Sequence, residues 1–246
     1  MKKIQLFFAY LVVGVFFLIT LITVFIPFLI LSFLGLKKAG NFWARIHGQF
    51  LCRLVLFMLN VKVTDYSKEK YDLKGKKVCF IGNHTSILDI IAMGAPLKLW
   101  CGFIVKDELR KVPIINIWTW MLNCTFIKRS DVRASAKAIK TGIEKIKNGW
   151  PMAIFPEGTR SKTGKIGEFK AGSFKLATRS DALIVPIAFR GLRDGFEDRK
   201  KGFIRVNGGV MIGSPINTTG MGFEEKADIS KKVELIIHEM YDSLPV

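Results

Sequence analysis

Between Phe7 and Leu36 the chain carries no charged side chain. A run of roughly 30 such residues exceeds the ~20 that cross the core of a bilayer. It is too long for the apolar region of a secretory signal, and no small-x-small cleavage site precedes Lys37-Lys38. The segment therefore crosses a membrane or is embedded in one. Two features argue against a plain crossing. Pro27 falls inside the run, where it is expected to kink or break a helix. Positive charge flanks both ends, with Lys2 and Lys3 before the run and Lys37, Lys38, Arg45 and Arg53 after it, so neither end is the obvious inside. From Asn41 to Asn60 a second apolar helix is expected, carrying Trp43, Arg45, His47 and Arg53. Such residues suit a helix at the headgroup boundary, and equally a helix of a soluble core. We expect residues 1–60 to form a membrane-associated helical pair that enters from the cytosolic side and stays on it. Residues 61–246 are then left for one ordinary domain.

Charge narrows the partners. The 246 residues hold 38 Lys+Arg against 20 Asp+Glu, a formal net charge of +18. That excess calls for an anionic partner: nucleic acid, an acidic protein, a phosphorylated substrate or an anionic leaflet. Nucleic acid is disfavoured, because neither an aromatic RNA-binding signature nor helix-turn-helix spacing is present. Cys52, Cys79, Cys101 and Cys124 each lie in an apolar run and form no Cys-x-x-Cys, so they read as reduced core residues of a cytosol-facing protein.

Beyond residue 60, strand-like and helix-like segments alternate. Strands are expected over Val61–Tyr66, Val78–Ile81, Leu99–Val105, Cys124–Lys128, Met152–Phe155 and Ala182–Phe189, with one or two more in Phe203–Ile216. Helices are expected after His84, over Ala134–Lys147 and Glu168–Arg179, and over Ile229–Leu244 with Ile229, Val233, Ile236, Met240 and Leu244 on one stripe. Val112–Leu122 is apolar and holds two tryptophans, with Pro113 where a helix start tolerates it. The alternation gives an α/β fold, a mixed sheet packed between helices.

Two constellations carry chemistry. In Val78-Cys79-Phe80-Ile81-Gly82-Asn83-His84-Thr85-Ser86-Ile87-Leu88-Asp89, a buried strand ends at Gly82. Ser86 and Asp89 have capping-box spacing ahead of Ile90 and Ile91. His84 thus falls at a strand-to-helix switch, where α/β sheets present reactive groups. Ser86 and Asp89 serve as helix caps on one reading; on the other, Asp89 also faces back to orient His84 as a general base. The remaining histidines, His47 and His238, fall on helices. The second constellation is Phe155-Pro156-Glu157-Gly158-Thr159-Arg160-Ser161, a turn offering a carboxylate, a flexible glycine and a planar guanidinium suited to phosphate. A solvated surface ion pair would have the same composition. Gly158–Lys165 mimics a P-loop, but five residues separate its glycines and Ile166 stands where Ser or Thr is needed, which sets nucleotide hydrolysis aside. No Gly-x-Ser-x-Gly elbow and no metal-ligand spacing is present.

Taken in order, Asn83-His84-x4-Asp89, Phe126-Ile127-Lys128-Arg129, Phe155-Pro156-Glu157-Gly158-Thr159-Arg160-Ser161 and Ile184-Val185-Pro186-Ile187-Ala188 resemble the glycerolipid acyltransferase family, most closely its 1-acylglycerol-3-phosphate O-acyltransferases. The resemblance spans residues 80 to 190. It implies a membrane-bound enzyme at the cytoplasmic face of the cell membrane, with no cofactor and no metal. The implied reaction moves an acyl group from acyl-ACP or acyl-CoA to the sn-2 hydroxyl of lysophosphatidic acid, giving phosphatidic acid. His84 would be the base and Asp89 its orienter. Glu157, Gly158, Thr159 and Arg160 would bind the glycerol phosphate. Lys106 and Arg129 join them as phosphate candidates because each ends a strand expected to point at the His84 edge; Lys128 departs from the acidic residue that many members carry there. In such an enzyme Val112–Leu122 would either pack the core or wall an acyl-chain tunnel. The same chemistry on another acceptor, such as glycerol 3-phosphate, and a non-catalytic protein binding anionic membrane lipid are the competing readings.

Overall fold

The computed structural model describes residues 18–199 and 204–245. A π-helical turn, Leu21–Phe25, runs into helix α1 (Ile26–Phe33), followed by α2 (Lys37–Met58). Then come β1 (Val61–Asp65), β2 (Val78–Gly82), α3 (Leu88–Gly94), β3 (Gly102–Lys106), α4 (Pro113–Met121), β4 (Thr125–Ile127), α5 (Val132–Lys147) and β5 (Met152–Ile154). The chain continues through α6 (Ala171–Thr178), β6 (Leu183–Arg190), β7 (Val206–Ile212), β8 (Ile216–Asn217) and α7 (Phe223–Ser243).

The strands make one mixed sheet in the order β1-β7-β6-β2-β5-β3-β4, with β8 beside β6. From β6 to β4 neighbours are parallel; β7 and β8 run antiparallel to β6, and β1 lies parallel to β7. Alternation along β2 builds both cores, because successive side chains of a strand point to opposite faces. Cys79 and Ile81 join Ile143 and Ile146 of α5, Phe174 and Leu176 of α6, and Ile229, Val233 and Ile237 of α7. Val78 and Phe80 join Leu56 of α2 and Leu88 and Ala92 of α3. Pro186 sits inside β6 without breaking it. Its carbonyl accepts from Gly213 N–H (2.9 Å), so its missing N–H falls between the pairing with β8 at Leu183–Ile184 and that with β7 from Ile187.

The expected mixed sheet between helices is present, with altered boundaries. The strand expected from Leu99 begins at Gly102, and the helix expected from Glu168 begins at Ala171. On α7 the deeply buried stripe runs through Ile237, with Ile236 at its flank. The helix also continues through Pro27. The carbonyl that a residue-27 N–H would meet in the α pattern, Thr23 O, accepts the Trp43 indole N–H instead (3.0 Å), and the preceding turn widens to π. Lys2, Lys3 and the part of the apolar run before Leu18 lie outside the described residues. Among the described residues no helix is long and apolar enough to cross a membrane.

α1 and α2 fold back on each other across the bend at 34–36. Val24, Phe28 and Ala44 pack with Met121 of α4, while Trp120 meets Phe25 and Phe28 edge-on at 5.8 and 5.2 Å. Val112–Leu122 is therefore core packing for this hairpin on one side. The hairpin's outer surface stays apolar and bare, with Ile30, Phe33, Phe50 and Phe57 all exposed.

Candidate active site

β2, β5, β3 and β4 end at one edge of the sheet, and the residues singled out from the sequence follow those ends. His84 lies two residues past β2. Asn83, fully buried, holds the exit: its amide N–H donates to Phe189 O and its Oδ1 accepts from Phe189 N–H, both at 2.9 Å, so a side chain extends the ladder to β6.

His84 stacks flat on Phe155, with centroids 4.0 Å apart and planes at 11°. Its Nδ1 lies 2.9 Å from Asp89 Oδ2. The same oxygen accepts from Thr85 N–H (2.8 Å) and Ser86 N–H (2.9 Å). An oxygen already accepting two N–H bonds makes Nδ1 the donor to Asp89 and leaves Nε2 as the ring nitrogen available for chemistry. Nε2 has no partner among the described residues. Asp89 is wholly buried and its Oδ1 is unpartnered. Burial pushes its carboxyl above the ordinary range, against the pull of His84 and the two N–H groups. Asp89 thus does both things read from its spacing, since it faces back to His84 while taking an N–H at the helix start. Ser86 caps the helix start as its spacing suggests, its Oγ accepting from Leu88 N–H (3.1 Å) while its own N–H donates to Asp89, with Ile87 between cap and helix.

The second motif grips the first. Glu157 Oε1 accepts from His84 N–H (2.6 Å), its Oε2 accepts from Gly167 N–H (3.0 Å), and Ser161 N–H donates to His84 O (2.8 Å). Both faces of the His84 peptide are therefore held by the 155–161 turn. Burial raises the Glu157 carboxyl, against the pull of the His84 and Gly167 N–H groups that its two oxygens accept. Gly158 adopts φ +75°, where a side chain is strained. Thr159 and Arg160 are exposed. Lys106 ends β3 paired with Glu108 (3.0 Å), and Arg129 follows β4 within electrostatic reach of the same Glu108. At ~4.8 Å per strand these two ends lie about 10 and about 14 Å across the sheet from β2. They share the edge with His84 without joining its cluster.

A segment with no signature in the sequence clasps both motifs. Glu197 Oε2 accepts from Ser86 Oγ–H (2.6 Å); its Oε1 accepts from Ile87 N–H (2.8 Å) and pairs with Arg160 (2.7 Å). Burial alone would raise the Glu197 carboxyl, but Ser86, Ile87 and Arg160 outweigh it and hold it below the ordinary range. Arg193, paired with Asp198, donates to Thr85 O and Ser161 O. The cysteines are free thiols, with burial pushing Cys52 and Cys124 up to about 11.

The family model "Acyltransferase" matches residues 42–190, more than half of the chain. The chain belongs to the acyltransferase family. Its curated relatives include the chloroplastic 1-acyl-sn-glycerol-3-phosphate acyltransferase of Arabidopsis thaliana, 29% identical over 205 residues, covering 82% of this chain and 55% of the relative. A putative one of Caenorhabditis elegans is 31% identical over 173 residues, 69% of this chain and 61% of the relative. A probable one of Mycoplasma pneumoniae is 28% identical over 243 residues, 91% and 90%. The chain thus spans between half and two thirds of the length of the first two relatives. The crystal structure of the 1-acyl-sn-glycerophosphate (LPA) acyltransferase of Thermotoga maritima superposes with a TM-score of 0.71 at 25% identity, covering 98% of this chain and 96% of that one. The α/β acyltransferase fold and the resemblance read from the motifs both hold.

Proposed function

We propose that the chain transfers a fatty acyl group from a thioester, acyl-ACP or acyl-CoA, to the sn-2 hydroxyl of lysophosphatidic acid. The observation that carries this reading is the His84 ring, with Nδ1 committed to Asp89 and Nε2 free beside the turn that bears Arg160. The names of the relatives support the acceptor. In the proposed step Nε2 takes the hydroxyl proton as the oxygen attacks the thioester carbonyl. Asp89 stabilises the imidazolium, which returns the proton to the departing thiolate. The acceptor alcohol is itself the nucleophile, so no enzyme serine is needed, in keeping with the missing elbow and the protonated thiols. Arg160, with Thr159 and the Gly158 backbone, receives the phosphate, and Lys106 and Arg129 attract it along the edge. No cofactor takes part.

Residues 1–60 then act as membrane-anchoring helices and residues 61–246 as the acyltransferase domain, on the cytoplasmic face of the cell membrane. The bare apolar outside of α1 and α2 supports the anchor. Turnover of lysophosphatidic acid beside glycerol 3-phosphate tests the acceptor: a rate confined to the non-acylated acceptor would overturn it. A cysteine placed near Lys2 and labelled from outside intact cells would overturn a one-sided anchor.

A further inference from the structure

One face of α2 leads to a groove beside the start of β1. Phe42, Ile46, Phe50, Arg53 and Phe57 follow one another at three- and four-residue steps, and all are exposed, Phe57 at 79%. A stripe at that spacing is one continuous helix face, with the Arg45 guanidinium over the Phe42 ring and Arg53 near its C-terminal end. Arg53 and Phe57 open onto a groove of ≈ 620 Å³ between the end of α2, the start of β1, the approach to β7 and the turn after α3. Its lining includes Leu56, Val61 and Pro96 as an apolar surface, and Arg53, Lys62 and Arg205 as the charged residues among those described. None of the three cations makes an ion pair among the described residues. The groove shares the sheet edge with the His84 site, because β1 runs antiparallel to β2 and begins where β2 ends. It extends, however, to the far end of α3: α3 carries Asp89 in its first turn, and the Ala95 that caps its other end lines the groove.

We propose that this groove binds an anionic phospholipid, its phosphate between Arg53, Lys62 and Arg205 and its chains along the α2 stripe. Apolar surface running into three unneutralised cations matches the two ends of such a molecule, and matches neither a neutral lipid nor a free anion. The site does not draw on the His84 chemistry. Loss of His84 should leave binding intact, so failure of the proposed reaction and failure of this site are distinguishable.

The test is equilibrium binding of dioctanoyl phosphatidylglycerol, an anionic phospholipid that is not the product of the proposed reaction, to the full chain in neutral detergent. It is repeated with vesicles of phosphatidylcholine with and without phosphatidylglycerol. Arg53→Gln/Lys62→Gln/Arg205→Gln is compared with Lys226→Gln/Lys231→Gln/Lys232→Gln, which removes the same charge from the exposed face of α7. The groove variant should bind on the order of a hundredfold more weakly, from roughly fivefold for each cation near the lipid surface, with its melting temperature and its turnover in neutral micelles unchanged. The α7 variant should bind like wild type. Equal losses in the two variants would overturn the site, reducing the effect to net charge. Displacement of the lipid by inorganic phosphate at matched ionic strength would overturn its amphiphilic character.

Discussion

Removing the Glu197 carboxylate should loosen the catalytic turn, and the structure sets the size of the effect. Glu197 holds a buried serine hydroxyl and a helix-start N–H, and pairs with a half-exposed arginine. Hydrogen bonds to a charged acceptor contribute ~1.5–3 kcal/mol each, whereas an exposed ion pair adds ~0–1 kcal/mol. With some rehydration of Ser86 allowed, Glu197→Ala should cost about 3 kcal/mol, which lowers the melting temperature of a chain this size by roughly 6–12 °C. Glu197→Gln keeps an acceptor for Ile87 and loses the charge, so it should cost about 1 kcal/mol. The two variants separate the bond from the charge. The carboxyl is held below the usual range in the fold, so its contribution is complete above the unfolded glutamate pKa of ~4.3. That contribution is lost as pH falls through the folded value. The gap between wild type and Glu197→Gln in thermal melts should therefore close in acid. A Glu197→Ala melt within ~1 °C of wild type, or a wild type–Gln gap that persists in acid, would refute the clasp.

Three further substitutions probe separate parts of the account. Asp89→Asn should cut kcat by roughly 10³–10⁴ with acceptor KM little changed, because the imidazole loses its tautomer lock; a loss under about tenfold would leave Asp89 a mere cap. Arg160→Ala should raise acceptor KM by roughly 10–100-fold with donor KM unchanged, and equal effects on both would argue against phosphate binding. Gly48→Ala tests the docked hairpin, since its Cβ would lie 2.8 Å from Trp100 Cζ3 and 3.2 Å from Trp118 Cζ3. A cost of ~1–3 kcal/mol is expected from overpacking, and an unchanged melt would contradict the contact.

What was legible in the sequence was local. Val78–Ile81 and Met152–Ile154 are apolar runs buried on both faces, and their flanking Gly82 and Pro156 mark where the chain leaves the sheet. His84 and Asp89 could be paired because four intervening residues let a first-turn carboxylate face backwards. The pattern could not report what long-range bonds divert. Residues 168–170 have helical composition, but the preceding Gly167 N–H goes to Glu157 and Lys170 N–H to Pro156 O, so the chain runs along the motif turn before α6 begins. Glu157, read as an acceptor ligand, lies where its carboxylate fixes the His84 peptide. Glu197 and Arg193 sit in a polar stretch over 100 residues from Ser86 and Thr85, with no periodicity or spacing to single them out. Only the surplus of charged side chains in a loop hinted that some had partners.

The most direct test is acyl transfer to lysophosphatidic acid by detergent-solubilised protein, wild type beside His84→Ala, with acyl-CoA and acyl-ACP offered separately. The account predicts turnover by the wild type with at least one donor, and its loss in a variant that melts like wild type. Substantial turnover by folded His84→Ala would contradict the central claim.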